Sequence, residues 1–150
     1  MSIYTESIRE KLRQVFAMPD EAVEWLCMLF DAIQMLDDVA DGDTVERAAL
    51  DAATWNLLVA MPQNAFFRAH SQSLLPVMAT QILKWQAAND VEKTGHVDAL
   101  SFNWRAGFYD VVLCAVNLVH GPNATIPAAA SILRLYGESF EEYLKEFNHA

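Results

Sequence analysis

A chain of 150 residues, 53% apolar and 20% charged, is long enough to bury a core and too apolar to stay disordered. Twenty acids against ten Lys and Arg leave a net charge of −10, which disfavours nucleic acid or an anionic membrane as partner, because both require cations on the protein to displace counterions. No run of 18 apolar residues is free of charge, so no membrane span is expected. The opening MSIYTESIREKL lacks the apolar core and cleavage site of a signal peptide. Cys27 and Cys114 both fall in apolar helical patterns and read as buried thiols, which makes the cytoplasm the expected location. A mean hydropathy of +0.11 points to a well-filled interior or an apolar interface, and a homo-oligomer, first of all a dimer, is expected.

Helical spacing dominates and no stretch alternates with period two, so the predicted fold is all-α: a compact bundle of six or seven helices in a single domain over residues 1–150. A first helix covers Ile3 to Phe16. Met18-Pro19-Asp20 restarts the chain into a second helix that stops at Gly42. Thr44 or Asp43 caps a third helix to Met61, ended by Pro62. A fourth runs from Asn64 to Ala88 with a kink or break at Pro76, and Asn89 to Gly95 reads as a loop. A long helix from Val97 or Asp98 to Val119 is closed by His120-Gly121-Pro122-Asn123. Two short helices, Ile126 to Tyr136 and Ser139 to Phe147, finish the chain. Trp25, Trp55, Trp85 and Trp104 fall on apolar stripes and are expected in the core.

The second helix ends in Asp37-Asp38-Val39-Ala40-Asp41-Gly42-Asp43. At 100° per residue, Asp37 and Asp41 continue the stripe of Val23, Leu26 and Phe30, while Asp31 and Asp38 lie to one side. Four aspartates in seven residues repel one another and crowd a helix end whose dipole already disfavours anions. Mg²⁺ or Mn²⁺ would offset that cost, since hard cations prefer carboxylate oxygens. The plainer reading is a solvated acidic helix end, screened by water. An EF-hand fails: with Asp37 at loop position 1, Val39, Val45 and Ala48 occupy positions that must supply ligands.

On the predicted helix beginning at Asp98, Asn103, Gly107, Asp110, Cys114 and Asn117 share one small, polar face. This face is expected to line a cavity, to give Asp110 and Asn103 to a metal opposite Asp37 and Asp41, to pack closely on a neighbour through Gly107, or to face solvent or another subunit as a plain polar stripe. Tyr109 and Arg105 flank it as candidates for holding an anion.

Residues 30–43, FDAIQMLDDVADGD, resemble the first aspartate-rich motif, DDxxD, of class I isoprenoid synthases. The resemblance implies a reduced version of that family's helical bundle, with Asp37, Asp38 and Asp41 binding Mg²⁺ that grips a diphosphate. For the family's second motif, NDxxSxxxE or a second aspartate-rich run, Asn103 with Asp110 is the nearest feature, and Gly107 and Val111 stand where the serine and glutamate would be. Glu21-x-x-Glu24 with Asp38-x-x-Asp41 also imitates the paired acids of all-α NTP pyrophosphohydrolases. On one unbroken helix those pairs stand about 25 Å apart, so that reading requires assembly across a dimer.

Two functions follow as expectations. In the first, a small acidic helical protein binds a divalent metal at Asp37, Asp38 and Asp41, with Asp110 or Asn103, and through it an anionic, diphosphate-like small molecule. In the second, a non-enzymatic interaction protein of the phage or accessory kind acts as a homodimer, meeting a protein partner through an apolar helical face or its acidic surface.

Overall fold

The computed structural model describes residues 2–147, which are mostly helical with no strand among them. Its contacts group the chain into two compact units, Met1–Ser71 and Gln72–Ala150, described separately below.

In the first unit, α1 (Ile3–Gln14) lies against α2 (Asp20–Asp41). Ser2 caps α1 by accepting the Thr5 N–H, and the Thr5 hydroxyl donates to Asp31 at 2.6 Å. Ile8 and Leu12 of α1 and Val23, Leu26 and Cys27 of α2 are buried. Arg9, between Glu6 and Glu24, adds an ion-paired edge to the two helices. The turn between them holds Ala17 at φ 49°, a left-handed conformation that a side chain disfavours.

Beyond Gly42 the chain turns back as α3 (Arg47–Trp55), which packs on α2. The expected cap at Asp43 or Thr44 is absent: the residue before α3 is Glu46, and its side chain caps nothing. Nor does the helix end before Pro62. It widens into a π-helical segment, Asn56–Ala60, and closes as α4 (Met61–Gln63). In a regular α-helix the Pro62 ring would strike the Leu58 carbonyl, and one wider turn moves that carbonyl away. Trp25, fully buried, stacks on Phe67 at 5.5 Å and tilts against Phe66. Trp55, expected in the core, is 63% exposed instead.

The fourth helix, α5 (Ala65–Thr94), starts in the first unit and continues into the second without breaking at Pro76. It also absorbs the segment Asn89–Thr94, where a loop was expected. In the second unit Leu74, Gln81 and Ala88 form its buried seven-residue stripe, so core contacts extend the helix through its polar end. The predicted long helix from Asp98 is two, α6 (Ala99–Trp104) and α7 (Gly107–His120), interrupted at Arg105 and Ala106. Asp98 and Ser101 form a reciprocal capping box at the start of α6. Then α8 (Pro122–Leu133) packs on α7, and α9 (Phe140–Phe147) on α6. With that break the described residues form eight continuous helical runs, which fits the expected all-α bundle of about six or seven helices.

Candidate functional site

The aspartate-rich end of α2 is a well-formed helix terminus. Gly42 takes φ 78°, its N–H bonds the Val39 carbonyl at 3.2 Å, and the Asp43 N–H bonds the Asp38 carbonyl at 2.9 Å. This is the Schellman arrangement, in which the residues at the places of Asp38 and Asp43 usually make an apolar contact. Here both are acids. Asp38, Asp41 and Asp43 are exposed and Asp37 is half-buried. The last turn of α2 carries no basic residue.

Asn103 and Asp110 lie in the second unit, on different helices, so they do not share the single face expected of them. Asn103 is exposed near the end of α6, and its carbonyl accepts the Ala106 N–H. Asp110 sits in the first turn of α7 and pairs with Lys84 of α5 at 2.7 Å. Gly107 lies so close to Gln81 that an added Cβ would come within 2.4 Å of its Cγ, and Cys114 Sγ reaches the Ser73 carbonyl at 4.0 Å. The small face of α7 is therefore a packing face: close approach to α5 through Gly107 is the outcome among those considered. Among the described residues, no group of three or more His, Cys, Asp or Glu side chains is disposed to hold a metal ion.

A polar centre that sequence reading passed over lies where α5, α6 and α9 meet. Tyr143 is fully buried, with its hydroxyl 2.8 Å from Ser101 Oγ and 3.1 Å from Glu92 Oε1. Arg105 pairs with Glu92 at 3.4 Å and with Glu146 at 3.7 Å, and its guanidinium stands 5.6 Å from the Tyr143 ring centroid. Phe102, Tyr136, Phe140 and Phe147 surround this clasp. Burial pushes the Tyr143 phenol up to about 12, so it stays a neutral hydrogen-bonding group. Arg105, expected to hold an anionic ligand, serves here to fasten α9. The sequence offered one signal, a tail helix whose aromatic side lacks charge, but nothing in the spacing tied it to Glu92, about fifty residues earlier.

Both thiols respond to burial. Cys27 is pushed up to about 11, and Cys114, which is half-buried, is raised more modestly. Among the described residues, no helix is long and apolar enough to cross a membrane. Compared with family models, curated proteins and solved structures, the chain matches none.

Proposed function

We propose that this protein is a non-enzymatic interaction module that acts as a homodimer. The observation that carries this reading is α8. Its twelve residues, PNATIPAAASIL, include no charge, yet only Thr125 and Ile132 are buried. Ile126 is 73% exposed and Leu133 42%, and with Ala130, also exposed, they fall on one stripe of the helix. An exposed apolar stripe of this kind on a helix is normally covered. In a chain of net charge −10, a neutral helix is also a place where two copies meet without like-charge repulsion. Sedimentation equilibrium tests this. The wild-type chain is expected to sediment as a dimer, and Ile126→Glu as a monomer with unchanged helicity. A wild-type monomer across the micromolar range removes the homodimer.

A second reading keeps the metal. Asp37, Asp38 and Asp41 would hold Mg²⁺ or Mn²⁺, and through it a diphosphate-like anion, as the DDxxD resemblance implies. Its support is the helix end itself, acidic and without a base in its last turn. Calorimetric titration with Mg²⁺ decides it: absence of heat at millimolar Mg²⁺, with Asp37→Asn/Asp41→Asn raising the Tm, leaves only the solvated helix end.

A further inference from the structure

The last helix, α9, is seated on the second unit by one anchor. Of its eight residues only Tyr143 is buried, while Phe140 is 37% exposed and Glu141, Glu142, Lys145 and Glu146 are exposed as well. The helix closes its own N-terminus: the Ser139 N–H donates to the Glu142 carboxylate at 2.9 Å, and the Glu142 N–H to Ser139 Oγ at 3.1 Å. The chain leading to it, Arg134 to Ser139, is not helical and includes Gly137. Eight residues are too few for a helix that persists in water by itself, so α9 keeps its shape through its seat.

That seat is built without α9. Ser101 Oγ donates to the Asp98 carbonyl and accepts the Asp98 N–H, both at 3.0 Å, within the capping box of α6. Arg105 is held on Glu92 at 3.4 Å, with the two side chains only 17% and 11% exposed. Phe102 lies against Tyr136 at 5.2 Å, and Tyr136 against Tyr109 at 5.5 Å. Lifting α9 therefore strands no charge: Glu92 keeps Arg105, Ser101 keeps Asp98, and the Tyr143 hydroxyl leaves with its helix and meets water. Opening a structure is costly when it leaves a buried charge without its partner, and this seat avoids that cost. What remains is a preorganised cleft, with Ser101 and Glu92 at its floor, the Arg105 guanidinium at its edge and Phe102 as an aromatic wall. The helix that fills it shows what fits: a tyrosine within hydrogen-bond reach of Ser101 and Glu92, and a glutamate 3.7 Å from Arg105. We propose that α9 is a displaceable strap over a docking cleft, and that the cleft takes a helix of a protein partner carrying a tyrosine for Ser101 and Glu92 and, three residues later, a carboxylate for Arg105. This rests on the interaction-module reading and adds to it a second surface, a partner chemistry and a built-in competitor.

The probe is a dye-labelled peptide of residues 137–147, titrated with the full chain by fluorescence anisotropy. It is expected to bind saturably, with an apparent affinity equal to that of the open cleft reduced by the fraction of molecules whose strap is open. One substitution then has opposite signs in the two molecules. Tyr143→Phe in the peptide removes a hydroxyl contact and is expected to weaken binding about fivefold. Tyr143→Phe in the protein weakens the resident competitor instead, and is expected to strengthen binding of the wild-type peptide by up to about fivefold. Phe140→Ala in the protein, which loosens the strap on Phe102 and leaves the hydroxyl contacts in place, is expected to act in the same direction. Amide exchange of the full chain is expected to run at least about a hundredfold faster in α9 than at Val111 to Val116 of α7, since the strap opens without the core. Absence of saturable binding, a Tyr143→Phe protein that binds the wild-type peptide no better than the wild-type chain does, or α9 amides as slow as those of α7 overturns the proposal. So does a peptide that turns a dimer into monomers, which would show that the cleft is filled by α9 of a second copy. If Ile126→Glu abolishes a dimer while the peptide never binds, the interaction reading stands and the strap proposal alone fails.

Discussion

Glu92 and the aspartates of the α2 tip are the same chemistry in opposite settings. Glu92 is 11% exposed and is met by Arg105 and the Tyr143 hydroxyl, whereas Asp38 and Asp41 stand on a helix end that buries nothing. In a dry setting a carboxylate fixes architecture, because removing its partner strands a desolvated charge. In an open one water and salt screen it, so it contributes little to holding the fold. Counting acids along the chain drew attention to the second place, and burial gave structural weight to the first.

The comparison can be broken at several points. Arg105→Met should remove the guanidinium that meets the buried Glu92, costing about 3 kcal/mol in urea unfolding; a loss under about 1 kcal/mol would make the clasp no more consequential than the tip. Alkaline pH should act on the buried part of α2. Cys27 titrates near 9 when unfolded and about 11 when folded. Its contribution to stability is complete below pH 9 and is lost as pH rises to about 11, on the order of 2 kcal/mol. Cys27→Ala should flatten that portion of a urea-midpoint series. Tyr143→Phe, which removes one hydroxyl from Ser101 and Glu92, should cost about 1 kcal/mol. Asp38→Asn should change stability least, a gain of about 0.3 kcal/mol from relief of like-charge repulsion at the negative helix end. A large destabilisation there would show that the tip is structural after all.

Much of the fold was legible because helical periodicity and Gly42 are local signals. The all-α class, α1 and the full course of α2 follow from them. What the sequence concealed was tertiary. Asn89, Asp90, Glu92 and Lys93 are polar enough to pass for a loop, yet the helix continues through them, with Ala88 buried just before and Glu92 held by Arg105. No breaker marks Arg105 and Ala106, where two helices part. Pro62 and Pro76 sit inside helical runs that other contacts sustain. The acidic tip was visible as a cluster of residue types. That its apolar neighbours lie uncovered was not, since Leu36 and Val39 obey the same spacing as Trp25 and Leu29.

The stretch from Leu36 to Ala52, none of it buried, also changes how drift in this chain would be read. Apart from Gly42, whose left-handed backbone favours glycine, folding exerts little selection on these positions, because helix-compatible residues there leave the core intact. Substitutions should accumulate in the tip faster than at the buried Ala22, Trp25, Leu29 and Ala32 of α2. Where related chains keep a leucine at 36 and a valine at 39 while losing alanines nearby, the force holding them is contact with another molecule and not the fold.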